Sequence, residues 1–284
     1  MPLPPPAFAL WRDRNGRLSG LRLLTLAVLV APAVLLLGRA VAGELGPRPI
    51  VEALRFCGDR AIETLIAAFA ITPLRRLSGW SKLVGVRRMI GVASALWAVL
   101  HVALHVAEQG GDAAEIATEI LVRPWLTIGF AALLGLAALA VTSTDGMIRR
   151  LGGPRWGRLH RLVHPIAILA LVHVFLQVRL DPSWAATVVG LATAGLAVRI
   201  AAEHGPTGGW TAAIAVVAGW AGAAASEIVW FAARTKRPLA PVVEGNLSFD
   251  GPLAASWVAA ALVAVVAVAA LAKRRFDERQ RGAR

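Results

Sequence analysis

Eight long apolar runs constrain this sequence more than any other feature. Each is close to the ~20 residues that an α-helix needs to cross the hydrocarbon core of a bilayer. The pattern therefore predicts an all-α integral membrane protein, a helical bundle with six core spans plus a C-terminal two-helix extension. The runs cover roughly residues 21–42, 57–74, 89–107, 122–142, 159–178, 184–202, 209–233 and 253–272.

The distribution of charge predicts the orientation of the chain. A net charge of +13 would suit a nucleic-acid-binding protein. However, the basic residues lie in short segments before the first run, between the second and third, between the fourth and fifth, and after the last. The positive-inside rule assigns such segments to the cytoplasm. We therefore expect a multi-pass protein in a lipid bilayer, with both termini cytoplasmic and no nucleic-acid partner, although the basic loop 234–237 falls on the predicted outer side.

The predicted spans also divide the chain into three parts. Residues 1–20 form a cytoplasmic N-terminal segment, residues 21–202 a transmembrane core, and residues 203–284 a C-terminal extension with two further spans. Small residues in the extension, AGWAGAAAS at 218–226, favour close helix packing or a dimerisation hairpin. No segment outside the spans is long enough for a separate catalytic domain.

Cysteine usage limits the cofactors that the chain can hold. The sequence has one cysteine, Cys57, which we interpret as a small buried hydrophobic residue. A single cysteine excludes an intrachain disulfide, a CxxCH covalent haem site and a cysteine-ligated iron–sulfur cluster. Any bound metal must therefore be held by histidine or oxygen ligands.

Five of the six histidines lie in two of the apolar runs. His101 and His105 are in the third run, and His160, His164 and His173 are in or at the edge of the fifth. A lone histidine in a span is most simply hydrogen-bonded to a neighbouring helix. Because ionisable groups inside a membrane are costly, five of them on two spans favour a functional site.

Residue spacing predicts the depth of these histidines. The third and fifth spans both run outward from the cytoplasm, and His101 follows Arg87 by 14 residues, or about 21 Å of helix. His173 follows His160 by 13 residues, or about 20 Å. His101 and His173 should therefore lie at a similar depth near the outer face, and His160 and Arg87 near the cytoplasmic face.

Two imidazoles at one depth can take both axial positions of a haem iron. Two such sites, one above the other, would carry electrons across the membrane. The haem propionates need positive counter-charges, which are available on the cytoplasmic side from Arg87, Arg88, Arg158 and Arg161.

The phase of the fifth span complicates this arrangement. On an ideal helix, 13 residues turn a side chain by about 140°, so His160 and His173 would not share a face. Pro165 lies between them, and we expect a kink or bulge there. His105 and His164, one turn from His101 and His160, are alternative ligands or hydrogen-bond partners of the ligands, and Trp97 is a candidate for lining the haem pocket.

Several sequence motifs follow one another in a fixed order over roughly residues 20–202. They are ITPLRRLSG at 71–79, RRMIG at 87–91 with LH at 100–101, RPWLTIG at 123–129, TSTDGMIRRLG at 142–152, RWGRLHRLV at 155–163 and ILALVH at 168–173. In these motifs the chain resembles the MsrQ (YedZ) family, the haem-binding membrane subunit of the periplasmic methionine sulfoxide reductase system, within the ferric-reductase-like transmembrane superfamily. The family's histidine ligands match His101, His160 and His173, and its basic residue before the third span matches Arg87.

The resemblance implies a b-type haem protein of a bacterial inner membrane, with one or two haems. It would transfer electrons from a cytosolic NAD(P)H-dependent flavin reductase to a periplasmic molybdenum-cofactor methionine sulfoxide reductase, without a complete active site or catalytic residues of its own. FMN is also attributed to the family, but no sequence feature here locates it. The chain departs from the family pattern at His105 and His164. At these two positions we expect other members of the family to have an aromatic residue.

Two other functions are compatible with the sequence. Helical histidine pairs at 101/105 and 160/164 could bind zinc or copper in a histidine-lined metal-ion transporter. A ferric-reductase-like cytochrome with another partner is the second alternative. A self-contained ferric or oxygen reductase is disfavoured, because it would need a dinucleotide-binding domain and no strand–GxGxxG–helix unit is present.

Overall fold

The computed structural model describes residues 10–12, 16–236 and 238–283 of the chain. Most of the predicted N-terminal segment 1–20, and residue 237 of the basic outer loop, lie outside these residues. Where it is described, the chain is almost entirely α-helical, and its one β-bridge joins Arg12 to Leu18. The predicted all-α membrane protein is confirmed.

Seven of the described helical segments are long and apolar enough to cross a membrane, and they coincide with seven of the eight predicted spans. The predicted span 57–74 lies inside a helix of 30 residues, Pro49–Ser78, that is not among the seven. Charged side chains such as Asp59, Arg60 and Glu63 lower the hydropathy of that helix. Its length nevertheless exceeds what a crossing needs.

By its contacts the chain divides into two compact units. The first comprises residues 1–68 and 84–170, and the second residues 69–83 and 171–284. In the first unit α1 and α5 both pack on α3, α4 packs on α5, and α6 packs on α7. The helices that lie wholly or partly in this unit are α1 (Gly20–Val41), α2 (Pro49–Ser78), α3 (Val84–Glu108), α4 (Ala113–Val122), α5 (Pro124–Val141), α6 (Asp145–Leu151), α7 (Gly153–His160) and α8 (Val163–Gln177).

The second unit is a compact group of helices with the C-terminal part of the chain. Three long helices pack on one another, and a short fourth helix contacts two of them. The long helices are α9 (Ser183–Ala201), α10 (Gly209–Arg234) and α12 (Ala255–Gly282), and the short one is α11 (Ala240–Leu247). The predicted boundary at residue 202 between a core and an extension stays a prediction.

Small residues allow close packing of α9, α10 and α12. A Cβ added at Gly190 would lie 2.6 Å from the Gly219 carbonyl oxygen and 2.7 Å from the Ala259 Cβ. Only glycine fits at such a distance between backbones. The AGWAGAAAS segment therefore contributes its small side chains to packing within this unit, as the sequence predicted.

We expect Gly190→Ala to destabilise the protein by about 1–3 kcal/mol, since a methyl group there must displace backbone. Thermal unfolding of the detergent-solubilised protein measures the effect. Gly38→Ala in α1 is the matched control, because nothing lies within 4 Å of a Cβ at that position. Equal melting temperatures for the two variants would contradict the close packing.

Two segments predicted as loops contain short helices. Asp112 caps α4, since its Oδ1 accepts hydrogen bonds from the backbone N–H groups of Ala114 and Glu115. The acidic pair Asp112 and Glu115 has the spacing of a helix-start signal, so α4 was detectable from sequence. In the other segment, Thr144 accepts a hydrogen bond from the Met147 N–H at the start of α6.

Candidate functional site

The best-defined candidate ligand is His101, in the middle of α3. Its Nδ1 lies 2.9 Å from the carbonyl oxygen of Leu54 on α2. An imidazole nitrogen opposite a carbonyl carries the proton, which leaves Nε2 as the nitrogen with the lone pair. Metal-binding histidines are commonly oriented in this way through their other nitrogen.

Gly58 on α2 makes room for the His101 ring. A Cβ at this position would lie 3.0 Å from His101 Nδ1 and 3.1 Å from Cε1. The glycine stands in the interior of a long helix, where it costs roughly 1 kcal/mol relative to alanine. Because Gly58 has no side chain, the His101 imidazole can approach α2 closely. The sequence analysis missed this residue, although a glycine inside a helical pattern is a recognised signal of close packing.

Trp97 forms the apolar surroundings one turn before His101. Its side chain is 7% exposed and packs with Cys57 and Ala61 of α2. The ring of Phe56 meets it edge-on at a centroid distance of 6.2 Å. The interpretation of Cys57 as a buried hydrophobic residue is confirmed, while the role of Trp97 beside a haem stays a prediction.

An apolar groove of about 400 Å³ runs along α3 on the side where α1 packs. Trp97 and Leu100 line it from α3, and Leu26 and Val30 line it from α1. Arg88 is the charged residue among its described lining residues. The groove and the His101 contact with α2 both involve the same stretch of α3.

The second candidate ligand, His160, ends α7 near the predicted cytoplasmic face. Its Nδ1 lies 3.1 Å from the Trp156 carbonyl of its own helix, and its Nε2 lies 3.2 Å from the Ser143 hydroxyl. The ring stacks on the Trp156 indole at a centroid distance of 3.9 Å. His160 is thus fixed in orientation, and in this arrangement its Nε2 faces a hydroxyl group.

Trp156 connects this histidine to the end of α5. Its Nε1–H donates to the Thr142 carbonyl at 2.9 Å. The hydroxyls of Thr142 and Ser143 donate to the carbonyls of Ala138 and Leu139, at 2.7 Å each. These hydroxyl side chains satisfy the last carbonyl groups of the span.

We expect Trp156→Phe to keep the stacking on His160 and to lose the indole hydrogen bond. The cost should be about 1 kcal/mol of unfolding free energy. Thermal unfolding of the purified protein measures it, with Trp210→Phe as the control because that indole bonds only to a carbonyl of its own exposed segment. A larger loss in the control would contradict the bridging role of Trp156.

Arginines lie beside His160, as the sequence predicted. Arg87 and Arg88 both act electrostatically on the His160 imidazole. Arg88 Nη1 also pairs with the Asp145 carboxylate at 2.5 Å, so part of its charge is balanced within the protein. Arg87 is half-buried and has no carboxylate within ion-pair distance among the described residues. The surroundings of His160 within the first unit are therefore positively charged.

The two alternative ligands differ from each other. His105 lies one turn after His101, and its Nε2 is buried without a hydrogen-bond partner among the described side chains and backbone. The Nδ1 of His164 lies 2.8 Å from the Arg161 carbonyl, just before α8. His105 is therefore the stronger alternative ligand, because a buried imidazole nitrogen without a partner is costly.

The expected interruption beside Pro165 is present, but it differs from a simple kink. Residues 161–162 separate α7 from α8, so His160 and His173 lie on different helices. Pro165 cannot bond the Arg161 carbonyl, and this oxygen instead accepts from the His164 backbone N–H at 3.1 Å. The ideal-helix phase between His160 and His173 therefore does not apply. His173 itself is half-buried in the part of α8 that belongs to the second unit.

No group of three or more histidine, cysteine or carboxylate side chains lies close enough to hold a metal ion, within the residues that the structure describes. A protein zinc site generally uses three or four such ligands. Haem iron needs only one or two protein ligands, since the porphyrin supplies four nitrogens.

Comparison with known proteins identifies the family. The family of ferric reductase like transmembrane components matches residues 57–171. A protein-methionine-sulfoxide reductase heme-binding subunit MsrQ from Rhodospirillum rubrum is 40% identical over 190 residues, which are 66% of this chain and 89% of that relative. The chain belongs to the MsrQ family. The MsrQ protein of Deinococcus radiodurans is 37% identical over 194 residues, 68% of this chain and 91% of the relative. That of Herminiimonas arsenicoxydans is 41% identical over 152 residues, 52% of this chain and 70% of the relative.

The first two of these relatives leave about a third of the chain unmatched and the last leaves about half, and no solved structure matches the chain. The ferric-reductase-like match contains His101 and His160 but ends two residues before His173. The individual ligand assignments stay predictions from sequence.

Proposed function

We propose that this MsrQ-family protein transfers electrons across a bacterial inner membrane through b-type haem. The electrons would come from a cytosolic NAD(P)H-dependent flavin reductase and pass to a periplasmic molybdenum-cofactor methionine sulfoxide reductase. The observation that carries the proposal is the orientation of His101 by the Leu54 carbonyl, inside a span of a chain whose relatives are named heme-binding subunits. That orientation suits an iron ligand.

The residues present fit a haem. His101 offers a histidine nitrogen from a helix whose neighbouring side chains, Trp97 and Cys57, are apolar. An apolar surrounding excludes water and influences the reduction potential of a bound haem. When bound, haem supplies one-electron redox chemistry that no side chain of this protein provides.

Each candidate residue has a distinct task in this proposal. His101, His160 and His173 bind iron, and the buried Nε2 of His105 makes this residue the substitute ligand beside His101. The positive charge of Arg87 near His160 offsets the haem propionates on the cytoplasmic side. A second haem and an FMN belong to the same proposal as expectations from the family.

The partner proteins are part of the proposal because the sequence contains no GxGxxG motif of the kind that binds a dinucleotide. Electrons must enter from a soluble flavoprotein and leave to a soluble reductase. From the basic loops we expect both termini in the cytoplasm, with the His160 end towards the electron donor.

Reduction of the purified protein in lipid nanodiscs tests this function. With NADPH and a flavin reductase, we expect the absorption spectrum to change from oxidised to reduced b-type haem. With NADPH alone, we expect no change. Fast NADPH oxidation without the flavoprotein, or a haem that stays oxidised when both are present, would contradict the proposed role.

A further inference from the structure

The C-terminal helices contain a buried carboxylate that the proposed electron transfer does not use. Glu227 lies in α10, a candidate membrane span, and is 8% exposed. The Asn246 Nδ2 of α11 donates to its Oε2 at 2.8 Å, and Asn246 is 2% exposed. Ionisable groups inside spans are rare and usually functional. The pair therefore requires a physical explanation.

The register between α10 and α12 brings a third polar side chain to this level. A Cβ at Gly219 would contact Val263, and one at Gly190 would contact both Ala223 and Ala259. Gly219 of α10 is thus level with Val263 of α12, and Ala223 of α10 is level with Ala259 of α12. The residue numbers rise along α10 as they fall along α12. One further turn brings Glu227 of α10 level with residues 255–256 of α12. Ser256 is completely buried there.

Two oxygens of this group have no hydrogen-bond partner among the described residues. They are the Asn246 Oδ1 and the Ser256 Oγ, both on side chains more than nine-tenths buried. The Asn246 Nδ2, by contrast, donates to Glu227 and also to the Val242 carbonyl at 2.9 Å. Buried polar atoms normally have partners, so these two oxygens indicate a bound species.

The charge of the group indicates what that species is. No arginine, lysine or histidine pairs with Glu227 in the described part of the chain, where the ion pairs involve other carboxylates. Asn246 offers a hydrogen bond but no positive charge. A buried carboxylate must be neutralised by a proton, by an ion-pair partner or by a metal cation. One carboxylate, one amide and one hydroxyl offer a single negative charge and only oxygen ligands, and oxygen is what hard cations prefer.

We propose that Glu227, Asn246 and Ser256 form a binding site for a monovalent metal cation, Na⁺. Rotation of the Asn246 amide by half a turn presents Oδ1 beside the carboxylate. One positive charge neutralises Glu227, whereas a divalent cation would leave an excess charge in an apolar surrounding. Three elements, α10, α11 and α12, each supply one ligand, so the cation holds the short helix α11 against the two long ones.

The thermal stability of the full-length protein in detergent tests this site. NaCl is varied at constant ionic strength, with choline chloride as the replacement. We expect a melting temperature that rises with Na⁺ and saturates, because a ligand that binds only the folded state stabilises it. Choline and K⁺ should have a much smaller effect. A melting temperature independent of Na⁺ would overturn the proposal.

Variants locate the site. Glu227→Gln should abolish the Na⁺ dependence, while Glu244→Gln, which changes an exposed carboxylate on α11, should keep it. If Glu227→Gln does not fold, Ser256→Ala serves instead, and its half-saturating Na⁺ concentration should rise about tenfold, or about 1.4 kcal/mol. An unchanged Na⁺ dependence in Glu227→Gln or in Ser256→Ala would place the cation elsewhere and contradict the proposal. Haem content should be equal in all variants, because none of the substituted residues is a candidate haem ligand.

Discussion

Replacement of His101 by alanine is expected to remove at least about nine-tenths of the haem from the purified protein. Loss of a residue that merely supports a metal ligand costs 10–100-fold in affinity, and loss of the ligand itself should cost no less. The ratio of haem absorbance to protein absorbance measures the result. Addition of free imidazole should restore part of the haem spectrum, because it can occupy the position that the side chain leaves.

The sixth histidine provides the control for this variant. His204 lies after α9, is exposed, and bonds through Nδ1 to the Ile200 carbonyl of its own segment. His204→Ala should retain the wild-type haem content. A His101→Ala protein that is folded and retains the full haem content, with an unchanged spectrum, would show that His101 is not a ligand. Rescue by imidazole separates loss of a ligand from loss of structure, which imidazole cannot repair.

Replacement of Gly58 by alanine is expected to lower haem affinity about tenfold or more without removing any ligand. The added methyl group would lie 3.0 Å from His101 Nδ1, so the ring must shift by a few tenths of an ångström, which strains its hydrogen bond to the Leu54 carbonyl. Loss of a hydrogen bond that orients a metal-binding histidine costs about 10–100-fold in affinity, and weakening this bond should have an effect at the lower end of that range. Haem titration of the apoprotein measures the affinity, and the reduction potential should shift as well.

Gly91→Ala is the matched control for this substitution. Gly91 also lies inside a long helix of the first unit, and nothing lies within 4 Å of a Cβ there. The control should bind haem as the wild type does, and alanine should stabilise the helix slightly. Equal haem affinities for Gly58→Ala and Gly91→Ala would contradict the positioning role of Gly58.

The fold was predictable where hydrophobicity determines it. Apolar length identified seven spans directly, and the interruption near Pro165 followed from the chemistry of proline. The helix α2 was harder to assign, because its charges lower the hydropathy while its helical periodicity continues through them. The short helices α4, α6 and α7 were not predicted, because a hydrophobic period is difficult to establish over so few residues. For α4, the helix-start signal of Asp112 and Glu115 was nevertheless available in the sequence.

The candidate site was predictable only in part. The histidines were identified because imidazoles inside spans are costly, and spacing along one helix predicted which end of the span each occupies. The contact of His101 with the Leu54 carbonyl depends on the packing of α2 against α3, which spacing along a single helix does not specify. The pair of Glu227 and Asn246 was missed for the same reason, because the two residues are brought together by the fold of α10 and α11.

Haem stoichiometry of the purified wild-type protein, expressed with an adequate supply of haem, is the most direct test of this account. Haem is extracted and quantified as its pyridine complex, and protein is quantified by amino-acid analysis. The account predicts at least one b-type haem per chain and a spectrum that changes when dithionite is added. A folded, monodisperse protein that contains no haem would contradict it.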